Sequence, residues 1–132
     1  MKFVILLLIG LLVGVMGATV VVNTLRARDA YARGVMDVMQ HHYASLRESL
    51  RSGRCDATAS AHALAQLRAQ ASDVDTAIYA DATPEAPFRE FSERFSTTLD
   101  AAAAATPVDC AQLGPQVQRI GKVCDDCHQQ YR

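Results

Sequence analysis

The chain opens on an apolar run with no period. From Phe3 to Val22 the sequence FVILLLIGLLVGVMGATVVV carries no charged side chain. A helix that is apolar on every side needs an equally apolar surround, and at about 1.5 Å per residue this run matches the roughly 30 Å hydrocarbon core of a bilayer. Nothing else in the chain is apolar enough to bury it, so residues 1–25 read as a signal anchor or transmembrane helix. Lys2 supplies a short basic lead. Val15-Met16-Gly17 is a tolerable cleavage site, but no clear A-x-A follows and a cut there would leave Ala18 to Val22 as an exposed apolar end. An uncleaved anchor is the expectation, with a soluble form after cleavage as the alternative.

Past that run the pattern becomes helical, and residues 26–132 read as one domain of four helices. The first is expected from about Arg28 to Arg51, with Tyr31, Val35, Val38, Met39, His42, Leu46 and Leu50 at helical spacing and a stop at Ser52-Gly53. Asp56 can cap the second, which carries Leu64 and Leu67 and fades after Ala71. Ser72 to Pro87 reads as the long connection, with Val74, Ile78 and Tyr79 available to pack on the helices. The third starts at Thr83 or Ala86 with a proline at its first position, carries the stripe Phe88, Phe91, Phe95 and Leu99, and ends at Thr106-Pro107. The fourth begins at Asp109, or at Pro115 if Gly114-Pro115 breaks it, and puts Leu113, Val117, Ile120, Cys124, Cys127 and Tyr131 on one face. Four helices of similar length joined by short links predict an all-α, antiparallel four-helix bundle.

Composition supports that class. Half of the residues are apolar (50%), 20% are charged and only 6% aromatic, with no Trp, a balance that favours helices over a sandwich or barrel. The net charge is -1 and no Lys/Arg run occurs, which argues against nucleic acid as a partner. No Ser/His/Asp arrangement and no carboxylate pair suited to acid-base work stands out, so an enzyme is not expected.

The chemistry lies near the carboxyl end. Cys124-Asp125-Asp126-Cys127-His128 is the C-x-x-C-H pattern of c-type haem attachment. Positions i, i+3 and i+4 share one helix face, so two thiols can add to the two vinyl groups of a porphyrin edge while the next residue turns its imidazole to the iron. One covalently bound haem c is the expectation. The same C-x-x-C also serves thioredoxin-like redox sites, which want a βαβ surround that is lacking, and zinc sites, which want a second ligand pair. Cys55, Cys110, His41 and His42 are only loosely placed for that second pair. Haem c is attached outside the cytoplasmic membrane, so the domain is expected in the bacterial periplasm, anchored to the inner membrane. Arg26, Arg28 and Arg33 beyond the anchor run against the positive-inside rule, and the haem motif overrides them.

From Gly121 to Arg132 the sequence GKVCDDCHQQYR resembles the terminal signature of the class II cytochromes c, the group of cytochrome c′ and cytochrome c-556. Met36-x-x-Met39-x-x-His42-Tyr43 resembles the same family's distal-face pattern on the first helix. The likeness covers residues 28–132, strongest at the fourth helix. It implies a four-helix bundle, His128 as proximal ligand with Arg132 beside it, and Met36 facing the other side of the haem, with Met39 a turn away. A Met there can bind the iron and suits an electron carrier; a blocker leaves five-coordinate iron and suits a small gas such as NO or CO. His41 and His42 are alternative ligands by chemistry. The family also implies a homodimer through helices one and two and redox partner proteins. This chain departs from the pattern where the family's propionate-contacting Arg stands, since Ala32 occupies that position and Arg33 lies one step off.

Cys55 falls in the turn between helices one and two and Cys110 in the turn between three and four. An up-down-up-down bundle places both turns at one end, and an oxidising compartment would then favour a disulfide. Two free buried thiols are the other outcome.

Overall fold

The computed structural model describes residues 2–80 and 82–131; the side chains of Lys2, Arg28 and Asp29 are not among the parts described. It consists of helices α1 (Lys2–Ser52), α2 (Ala57–Ala71), α3 (Val74–Tyr79), α4 (Ala86–Ala104) and α5 (Cys110–Gln130), with no strand among the described residues. Helix α1 packs on α2, α2 on α4, α4 on α5, and α5 back on α1, which closes the four-helix ring expected from the periodicity.

Local signals explain most of the ends. Helix α1 stops at a Schellman turn: Gly53 takes φ +66°, its N–H donates to Leu50 O at 3.2 Å, and Arg54 N–H donates to Ser49 O at 3.0 Å. The Asp56 carboxylate accepts from Ala59 N–H at 2.7 Å and caps α2. Asp109 does the same for α5, accepting from Gln112 N–H at 2.9 Å. The fourth bundle helix therefore starts at Cys110 and runs through Pro115, an interior position at which the proline offers Ala111 O no N–H. Pro87 lies in the first turn of α4, as expected.

Three expectations are corrected. The Ser72–Pro87 connection holds a helix of its own, α3, which buries Val74 and Ala77 against α1 and α4 while Ile78 stays exposed. Tyr31 and Val38 are exposed, so the α1 core stripe reduces to Val35, Met39 and Leu46 with Leu50 and Ala32 at its edge. Finally, α1 has no break near residue 25: the apolar run and the first bundle helix are one element.

The core is built from Leu46 of α1, Leu64 and Leu67 of α2, Leu99 of α4, and Leu113 and Ile120 of α5, all essentially inaccessible. Each such side chain contributes about 1.5–3 kcal/mol by leaving water. At one end of the bundle Cys55 and Cys110 form a disulfide with Cα atoms 5.1 Å apart, the pairing expected from the two turns. At the other end Tyr79, Phe88, Phe91 and Tyr131 pack edge to face, with ring centroids 4.8 Å (Tyr79–Phe88), 5.1 Å (Phe88–Tyr131) and 6.0 Å (Phe91–Tyr131) apart. This cluster fastens the carboxyl terminus to α3 and α4. From Phe3 to Ala27 every residue of α1 is exposed, and by length and composition alone the helix is apolar enough to cross a membrane.

Candidate functional site

The buried face of α5 that begins with Leu113, Val117 and Ile120 continues into Cys124 and Cys127. Both thiols are unbonded and partly buried, one helical turn apart. They open, with His128, on a cavity of about 260 Å³ between α5, α1 and α4. Met36 and Met39 line it from α1, and Phe88, Phe91 and Phe95 line it from α4. Leu67 and Val74 add to the apolar wall, while Gln40, Arg47 and Asp125 bring polar groups to it.

Two thiols and an imidazole on one helix, facing an apolar slot, are the donor set that a haem c requires, and a thioether stands on the helix opposite. The residues present fit that group. They fit zinc poorly: among the described residues no three His, Cys, Asp or Glu side chains stand close enough to hold a metal ion. Among the described residues no βαβ unit surrounds the cysteines either, as the thioredoxin-like reading would need.

Electrostatics keeps the thiols neutral. Burial, reinforced by the neighbouring Asp125 carboxylate, pushes Cys124 up to about 11, and burial raises Cys127 as well. Asp126, inside the motif, points away from the cavity into ion pairs: Lys122 Nζ donates to its Oδ1 at 3.1 Å and Arg94 donates to its Oδ2 at 3.1 Å. The Lys122 bond foremost, and Arg94 with it, holds the Asp126 carboxyl below its usual range. Arg94 also lies over the Phe91 ring of its own helix, 5.0 Å from the centroid, which steadies the guanidinium that ties the motif to α4 by charge. Burial first, and then the Glu85 carboxylate, push the Tyr131 phenol up to about 12.

The expected site residues separate into groups. Cys124, Cys127, His128, Met36 and Met39 converge on the one cavity. Met39 is the more deeply placed of the two methionines and belongs to the bundle core, while Met36 is half-buried. His41 and His42 do not line the cavity; they meet His62 of α2 on another face, with ring centroids 5.3 Å (His41–His42) and 6.5 Å (His42–His62) apart. Arg132 lies outside the described residues. Ala32 packs against the core and Arg33 is exposed.

Some site features were not read from the sequence. The Phe stripe of α4 was read only as core, yet it also walls the cavity, because a stripe at helical spacing looks the same in either role. Tyr43 is a second case. Its hydroxyl donates to Val117 O at 3.4 Å and lies over Gly121, where an added Cβ would overlap it and stand 3.1 Å from the ring carbon Cζ. A glycine inside a helix, one turn before the first cysteine, was the available signal of that close approach.

The cytochrome c′ family profile matches residues 68–132, from the end of α2 to the carboxyl terminus. The crystal structure of cytochrome c′ from Rubrivivax gelatinosus resembles this chain with a TM-score of 0.66 and 21% sequence identity, over 76% of this chain and 91% of that one. A search of curated proteins finds no match. Residues 68–132 thus match the cytochrome c′ family, and the likeness to the solved structure shows that the chain has the fold of a cytochrome c′.

Proposed function

We propose that the chain is a c-type haem protein that carries single electrons, tethered to the bacterial inner membrane by α1 with its bundle in the periplasm. One observation supports this above the rest: a single cavity receives Met36 from α1 and Cys124, Cys127 and His128 from α5. A haem c bound there would supply one-electron iron chemistry, at a raised potential when its axial ligands are an imidazole and a thioether. Cys124 and Cys127 would hold it by two thioether links, His128 would be the proximal ligand and Met36 the sixth. The three phenylalanines of α4 exclude water from the pocket, and the Arg94–Asp126 pair keeps the motif seated against α4.

The second reading uses the same residues without Met36 on the iron. Met36 then remains a wall side chain, as its half-buried position on α1 also permits, and a small gas such as NO or CO binds opposite His128. Optical spectra of the matured protein, oxidised, reduced and with carbon monoxide, separate the two. Low-spin bands unmoved by carbon monoxide support the carrier; high-spin bands that shift support the gas binder. Covalent attachment is checked by intact mass. A chain that gains no haem c in a host able to attach it overturns both readings.

Anchoring has its own check. Cleavage after Gly17 would release a soluble periplasmic protein, and the amino-terminal residue of the mature chain distinguishes that outcome from a retained anchor.

A further inference from the structure

Between the apolar run and the bundle there is no hinge. Helix α1 continues from Lys2 to Ser52, and from Ala18 to Arg33 it contains neither glycine nor proline. The Thr24 hydroxyl donates back to Val20 O at 3.0 Å and to Val21 O at 2.9 Å, so the polar groups at the expected lipid boundary close on the helix itself. The stretch that follows, Leu25-Arg26-Ala27-Arg28-Asp29-Ala30, consists mostly of good helix formers.

Because α1 is also a bundle helix, the bundle axis must follow the axis of the anchor. The disulfide end, after Ser52, is then farthest from the membrane. At 1.5 Å per residue, Met36 lies about 21 Å beyond Val22 and Arg47 about 38 Å beyond it. A helix tilt of about 20° shortens these heights by less than a tenth. The cavity between those two residues is held clear of the hydrocarbon, and electron tunnelling weakens exponentially with distance.

We propose that α1 is a rigid strut that holds the cofactor pocket at a fixed height above the bilayer, so that it exchanges electrons with a protein reaching that height and not with a quinol dissolved in the membrane. This rests on the anchor and haem readings above. A flexible tether would let the bundle lie down and bring the pocket to the lipid surface. A continuous helix does not.

The test uses the full-length, haem-loaded protein in vesicles of phosphatidylcholine and phosphatidylglycerol carrying a headgroup fluorophore, whose emission the haem quenches by energy transfer. Two variants are compared with the parent, one with seven helix-forming residues inserted after Ala27 and one with seven Gly/Ser residues at the same point. The helical insert adds about 10 Å of height and nearly whole turns. It should weaken quenching, whereas the Gly/Ser insert should strengthen it. A decylubiquinol-loaded bilayer should reduce the Gly/Ser variant at least tenfold faster than the parent. Quenching that ignores the helical insert, or parent reduction as fast as that of the Gly/Ser variant, overturns the strut while leaving anchor and haem intact. A mature chain beginning at Ala18, or one without haem c by mass, overturns the underlying reading and the strut together.

Discussion

At the scale of single residues the structure makes three separable demands, two in the site and one outside it. Met36 is the side chain whose chemistry divides electron transfer from gas binding. Met36→Leu keeps an apolar wall of similar volume but removes the thioether, so the carrier reading expects the oxidised spectrum to change from low to high spin and carbon monoxide binding to appear. A spectrum unchanged by the substitution would remove Met36 from the iron. The Tyr43–Gly121 approach makes a packing demand. Gly121→Ala places a Cβ against the Tyr43 hydroxyl and should cost about 1–3 kcal/mol in denaturant unfolding. Adding Tyr43→Phe removes the overlapping oxygen and should restore part of that loss.

The third residue-scale demand concerns protons. Burial foremost, with His41 and His62 adding to it, lowers His42 below its ordinary value of 6.5. The native state therefore binds fewer protons than the unfolded chain in the window below 6.5. The contribution is full above the unfolded value and declines as pH falls through the lowered native one. Urea midpoints at about pH 7.5 and about pH 5 should differ less in His42→Gln than in the parent.

Elements obey a different logic, in which ends and links matter more than faces. The Cys55–Cys110 disulfide joins two turns across 55 positions of sequence, so in the chain-entropy picture it contributes about 4 kcal/mol by restricting the unfolded chain. A Cys55→Ala/Cys110→Ala protein should lose stability of that order in denaturant titration while keeping its helix content by circular dichroism. Caps and stops are the part of the element scale most legible in sequence, because Asp56, Gly53 and Asp109 act through their own backbone neighbourhood. Helix α3 was less legible. It is too short to show a period, and its existence depends on Val74 and Ala77 finding the surfaces of α1 and α4.

For the molecule as a whole, the family match, the ring of four helices and the converging haem-type donors agree with one another, and the long α1 adds a feature of its own. If the anchor is retained, the protein should stay with membranes through a high-salt wash and be released only by detergent. Deletion of residues 2–25 should move it to the soluble fraction with its helical bundle intact. Salt extraction of the full-length protein would instead point to a peripheral association.

Much of this was determined by the sequence alone. An uninterrupted apolar run, a C-x-x-C-H spacing, helix periods and capping residues are all one-dimensional signals, since each is carried by residues contiguous in the chain, whatever lies across from them. The exposed Tyr31 and Val38, the Phe stripe that serves as both core and cavity wall, the Tyr43 contact over Gly121 and the separation of His41 and His42 from the cavity were decided only by the tertiary structure. Each depends on which element lies across from a given helix face. Helical periodicity says that a face is apolar, but the partner that covers it is chosen by the packing of the entire bundle.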